Sequence, residues 1–131
     1  MKHTLKKNNK WDNKKPTSLM LGRFQPWHNG HLNLFKKIFK INRQVLILVK
    51  NVHKIGDNPF SFHDVKARID ASLKKYKGFY KIKLAPNISD ICYGRKVGYK
   101  IKKIFLSKKI HKISATNIRK NLRLKGKLKK K

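Results

Sequence analysis

The chain has 131 residues, 39% of them apolar, which is enough for one domain with a core and too little for two. No apolar run is long enough to span a membrane, and the N-terminus lacks the apolar stretch of a secretion signal, so a cytoplasmic protein without a membrane partner is expected. The formal net charge is +31, from 30 lysines and 6 arginines against five aspartates and no glutamate; such a chain attracts anions and sticks to nucleic acid in a salt-sensitive way.

Residues 1–15, MKHTLKKNNKWDNKK, are polar and without period, and they read as a mobile basic arm. SLMLGRF, from Ser18 to Phe24, is a short apolar run ending at Gly22, as a buried strand would be. HLNLFKKIFK then places Leu32, Phe35, Ile38 and Phe39 at helical spacing, and QVLILVK is a continuous β-branched run suited to a strand covered on both faces. In NPFSFHDVKARIDASLKKY, Pro59 breaks the chain, Ser61 can cap a helix and Asp64 stands where a first-turn acid belongs. FYKIKLA, SDICYG and KKIFLS predict three more strands, and SATNIRKNLRLK a last helix with Ile118 and Leu122 on one face. The tail from residue 124 to 131 is basic, with Gly126 as a helix stop.

Strand and helix thus alternate. That predicts an α/β, Rossmann-like, five-stranded parallel sheet with helices on both faces, occupying residues 16–123 between the arm and the tail. In such sheets ligands bind beyond the C-terminal ends of the strands, where the first strand runs into GRFQPWHNGH. There Gly22 lets the chain turn off the strand and Pro26 stiffens the loop. Gly30, at the helix start, leaves room for an anion to approach the backbone amides. His28 and His31 can both donate to phosphate oxygens, and a protonated imidazole would add charge. The same pair could be half a metal site, yet no cysteine or carboxylate cluster completes one.

A second constellation, ISATNIRK, lies near the C-terminus. Ser114 can cap a helix, Thr116 adds a hydroxyl and Arg119 can reach a phosphate from the first turn. Trp27 either packs over the loop or stacks on a ligand. Cys92 has no partner for an internal disulfide and reads as a buried strand residue.

Taken together, GRFQPWHNGH and ISATNIR resemble the HxGH and ISSTxIR signatures of the nucleotidylyltransferase superfamily, with Ala115 in place of the second serine. The first string is similar to the GRFQPxHxGH form of archaeal-type nicotinamide-nucleotide adenylyltransferases. The resemblance implies transfer of AMP or CMP from ATP or CTP, with Mg2+, to a phosphorylated small molecule such as nicotinamide mononucleotide, releasing pyrophosphate. It implies that His28, His31 and Arg119 are catalytic, and that Gly22, Arg23, Phe24, Gln25, Gly30, Ser114 and Thr116 bind the nucleotide. Arg68, Tyr93, Gly94 and Arg95 are its candidates for contacts to base or acceptor, and Lys54 for a weaker phosphate contact.

An acceptor that is already an ionised phosphate requires no general base, which accords with a chain lacking glutamate. Homo-oligomers are common in that superfamily. Fewer than twenty residues separate ICYGR from ISATNIR, a compactness closer to the glycerol-phosphate cytidylyltransferases, whose first motif is spelled differently. Two readings of the charge also stand: coding bias toward lysine, asparagine and isoleucine, or a nucleic-acid-binding surface. Arginine, which forks onto phosphate and guanine, is scarce here.

Overall fold

Three short apolar runs pair side by side. In a computed structural model, which describes residues 10–54, 56–95, 98, 100–106 and 114–128, Ser18–Gly22 (β1), Val45–Lys50 (β2) and Tyr80–Ala85 (β3) form a parallel sheet in the order β1-β2-β3. Parallel neighbours require a crossover, and each crossover is a helix: Asn29–Ile41 (α1) and Phe62–Ser72 (α2). A single 3-10 turn at Lys74–Tyr76 leads into β3, and Ala115–Leu124 (α3) comes last.

The register sets Met20 beside Ile47, and Ile47 beside Ile82. Because strand side chains alternate, Met20, Val45, Ile47 and Val49 share one face. They form one buried cluster with Phe35, Ile38 and Phe39 of α1 and with Val65, Ile69 and Leu73 at and just after α2. Those last three recur every fourth residue, so one stripe of α2 meets the sheet. Phe35, Ile47, Ile69 and Leu73 are fully buried, each contributing about 1.5–3 kcal/mol of transfer free energy. Phe39 stands edge-on to Tyr76 and Phe79 at 5.0 and 5.6 Å, which ties α1 to the turn before β3.

The opposite face differs from the expectation of helices on both sides. Leu19 is 52% exposed, Leu46 and Leu48 are half-buried, and Lys81 and Lys83 of β3 are exposed. The two crossover helices cover one face because both run in the same direction across three sequential strands. Nor do SDICYG and the described part of KKIFLS form strands: residues 86–95 and 100–106 carry no regular element, and Ser107 lies outside the described residues. A strand gains from a ladder partner and one buried face, whereas here Ile91, Tyr93, Ile101 and Phe105 all lie open to solvent. Residues 100–106 are tied to α1 by Lys37 Nζ donating to the Phe105 carbonyl at 2.6 Å.

Near the start of the described residues, Asp12 is tied to the turn before β2. The buried Gln44 side chain accepts from the Asp12 amide at 3.0 Å and donates to the Asp12 carbonyl at 2.9 Å. Residues 1–9 lie outside the described residues, as do 129–131 of the tail.

Candidate functional site

The C-terminal end of β1 opens onto a loop whose shape begins with a missing side chain. A Cβ on Gly22 would lie 2.7 Å from the Phe24 ring. Glycine is therefore needed to admit that ring, and the sharp turn belongs to Phe24 itself, at φ +52°. Left-handed backbone costs a phenylalanine about 1–2 kcal/mol. Burial of the ring against Trp27 at 5.3 Å and His31 at 4.9 Å offsets it. Phe24 is thus core, and so is Trp27, whose Nε1 donates to the Ser72 hydroxyl of α2 at 3.0 Å.

The next residues cap α1 in an unusual way. His28 is the N-cap, and its Nδ1 accepts from the Gly30 amide at 3.0 Å. His31 reaches back, its Nδ1 accepting from the His28 amide at 3.1 Å. The two imidazoles form a capping box, stacked with ring centroids 3.8 Å apart. An accepting Nδ1 carries no proton, so both rings are the Nε2–H tautomer. Neither Nε2 has a hydrogen-bond partner among the described residues.

Burial lowers the His28 pKa. Burial, and then the neighbouring His28, push His31 down to about 3. Both rings are therefore neutral donors at physiological pH, not the imidazolium that sequence allowed.

Gln25 and Arg119 join this loop to two distant segments. The Gln25 side chain is buried and doubly bonded to the Phe60 backbone, donating to its carbonyl at 2.9 Å and accepting from its amide at 2.8 Å. Its own carbonyl accepts from Arg119 Nη1 at 2.6 Å, across 94 residues of sequence. Arg119 is 3% exposed, with Nη2 donating to the Thr116 hydroxyl at 3.2 Å. Its Nε is buried without a hydrogen-bond partner. Burial is the main force lowering the Arg119 pKa; Asp57 opposes it, and Arg23 and Arg123 add to it. The guanidinium nonetheless keeps its charge.

Ser114 caps α3 by accepting from the Asn117 amide at 3.1 Å, and Thr116 is exposed. The two sequence constellations therefore meet in space. Arg23 Nη1 donates to Asn58 Oδ1 at 3.4 Å, and Arg123 Nη2 to the Gly56 carbonyl, so the turn before α2 is held from both sides.

Other candidates lie elsewhere. Arg68 is exposed on α2, its guanidinium 4.7 Å from the Phe60 ring centroid. Tyr93, Gly94 and Arg95 are exposed on the irregular segment after β3. Cys92, expected in a buried strand, is exposed beside them. Lys54 is exposed and forms an isolated bridge with Asn58. Ile113 lies outside the described residues. Sequence reasoning missed Arg123 and Asn58; the placement of Arg123 one helical turn after Arg119 was the available signal for the first.

The sequence of this strand–helix scaffold matches a known pattern. Residues 19–83, from β1 almost to the end of β3, match the cytidylyltransferase-like family. The chain carries a cytidylyltransferase-like domain. It is 37% identical over 67 residues to a nicotinamide-nucleotide adenylyltransferase of Methanococcus aeolicus, a match covering 50% of this chain and 39% of that protein. It is 34% identical over 77 residues to that of Picrophilus torridus and 32% over 81 residues to that of Thermoplasma acidophilum, each match covering 44% of the relative. The chain thus matches about two fifths of the length of these curated relatives. The cytidylyltransferase-like domain places its two histidines at the mouth of this shared scaffold.

Proposed function

We propose that the domain is a nucleotidylyltransferase that moves AMP from ATP to the phosphate of a small acceptor, nicotinamide mononucleotide foremost, with release of pyrophosphate. The observation that carries this reading is the His28–His31 pair, neutral and with both Nε2–H donors unused, on the same loop whose Gln25 carbonyl accepts from Arg119 of α3. Two neutral donors and a buried guanidinium suit a triphosphate, whose charge is met without a proton being surrendered.

In this reading an acceptor phosphate oxygen attacks the α-phosphorus, a new P–O bond forms and the bond to the pyrophosphate oxygen breaks. His31 Nε2–H stabilises the oxygens on which charge grows, with His28 beside it. Gly22 admits the Phe24 ring and Gly30 gives its amide to the His28 cap, so both act by shaping the loop, together with Phe24 and Gln25, rather than by leaving room for an anion at the backbone. Arg23, Ser114, Thr116 and the Arg119 side chain hold the β and γ phosphates, with Arg119 anchored by Gln25. Arg68, Tyr93, Gly94 and Arg95 remain proposals for base or acceptor contacts.

No group of three or more histidine, cysteine or acidic side chains gathers among the described residues. The Mg2+ expected with ATP or CTP is accordingly read as part of the substrate, carried on its phosphate oxygens. No helix among the described residues is long and apolar enough to cross a membrane.

The family description and the short connection between β3 and α3 favour a second reading, transfer of CMP to a polyol phosphate such as glycerol phosphate. Pyrophosphate release assayed with ATP and CTP against a panel of phosphorylated acceptors separates the two. His31→Ala should lower turnover by about 10²–10³-fold. Absence of turnover with every pair, or full activity in that variant, would reject the assignment.

A further inference from the structure

Arginine is scarce in this chain, and its placement is uneven. Of the six arginines, three come together: Arg23 on the loop after β1, and Arg119 and Arg123 one turn apart on α3. Two of them grip the turn before α2. Arg123 Nη2 donates to the Gly56 carbonyl, and Arg23 Nη1 to Asn58 Oδ1 at 3.4 Å. The turn is closed on itself by the Lys54 amide, which donates to the Asn58 carbonyl at 2.7 Å. Asp57 stands between the two gripped residues, so its backbone is fixed where the arginines converge.

Three guanidiniums in one place repel one another, and near a protein surface water screens that repulsion only in part. Arg119 registers the effect. Arg23 and Arg123 both disfavour its charge, and Asp57 is the one acid among the described residues whose charge favours it. Asp57 is also exposed, as a group must be if it is to give way to a ligand. The other acids are placed differently: Asp12 is tied to Gln44 before β2, and Asp70 is engaged by Lys66 and Tyr80.

We propose that Asp57 is the resident counter-ion of this arginine cluster: it neutralises the cluster in the free protein, yields to the phosphates of a bound ligand, and so sets how tightly polyphosphate is held. The inference rests on the reading of this loop as a triphosphate site. A triphosphate brings several charges and charge-assisted hydrogen bonds against one carboxylate, so it displaces Asp57. When pyrophosphate departs, the carboxylate returns to the guanidiniums, and that return favours release. A purely structural role for Asp57 predicts otherwise, because asparagine suits the same turns and makes the same local hydrogen bonds.

The test is calorimetric titration of the full chain with sodium tripolyphosphate, in chelator and at about 0.15 M salt. Asp57→Asn should tighten binding about fivefold, the effect of one exposed charge pair. Asp12→Asn changes the net charge equally, but from the other end of a five-residue strand about 17 Å long, roughly two Debye lengths. It should alter affinity by less than about 1.5-fold. In an Arg123→Gln background, the gain from Asp57→Asn should fall below about twofold, because the turn is no longer held against the cluster.

Unchanged or weaker binding in Asp57→Asn would overturn the proposal. So would an equal gain in Asp12→Asn, which would make the effect one of net charge, or a full gain in the Arg123→Gln background. Arg23→Gln separates this inference from the site beneath it. Tripolyphosphate bound as tightly by Arg23→Gln as by the parent would place the anion away from this loop and reject both. Weakened binding in Arg23→Gln with no gain in Asp57→Asn would remove the role of Asp57 alone.

Discussion

An imidazole is an uncommon helix cap, because serine, threonine, asparagine and aspartate turn back onto the amides with fewer atoms. Here two of them cap α1, and the cost appears as a pH dependence. His31 has an unfolded pKa near 6.5 and a folded pKa of about 3, so between those values the unfolded chain binds more protons. Its contribution is complete above pH 6.5 and is lost as pH falls toward 3, by at most about 1.4 kcal/mol per pH unit. Denaturant unfolding followed from neutral pH downward should show this decline. His31→Gln keeps a side chain able to complete the capping box, so its profile should be flatter. Parallel profiles for the two proteins would mean that the ring is not buried as a neutral donor.

Among elements, the decisive contact is the one that draws β1's loop, the turn before α2 and the start of α3 together. Gln25 stands at its centre, with both side-chain atoms on the Phe60 backbone and its carbonyl under Arg119. Gln25→Met retains the bulk but leaves the Phe60 amide and carbonyl buried and unpaired, at about 1–3 kcal/mol each. The variant should unfold at lower denaturant, with a stability loss of about 2–6 kcal/mol. A loss under 0.5 kcal/mol, roughly that of an ordinary surface change, would show that the three segments hold together without it. The motif spelling located this residue but assigned it to the nucleotide. Only the packing shows what its amide group touches.

For the whole molecule, the dominant physical fact is charge. A net +31 on 131 residues, with Lys66–Asp70 the one ion pair among the described residues, makes the folded state repel itself. Salt screens that repulsion over a Debye length of about 10 Å at 0.1 M. The melting temperature should therefore rise with sodium chloride from about 0.01 to 0.5 M. A flat or falling trend would show that the repulsion is already relieved in the compact state, contrary to this account. The half-open sheet face belongs to the same scale. Leu19, Leu46 and Leu48 are left partly uncovered by a topology that sends both crossover helices to the other side.

Local pattern alone decided the parts of this protein whose physics is local. The apolar runs of β1, β2 and β3, the stripe of Phe35, Ile38 and Phe39, and the Ser61 and Ser114 caps follow from period and propensity over a few residues. The meeting of GRFQPWHNGH with ISATNIR was legible only as a family resemblance. Its physical basis, the Arg119–Gln25 bond, spans 94 residues and depends on how the sheet is wound. Tertiary structure also overruled the apolar alternation of SDICYG and of the described part of KKIFLS. A strand requires a neighbour to accept its backbone bonds, and sequence period says nothing about whether one is present. It decided the state of the histidines as well: their type was written in the chain, whereas their neutrality comes from burial and, for His31, also from the neighbouring His28.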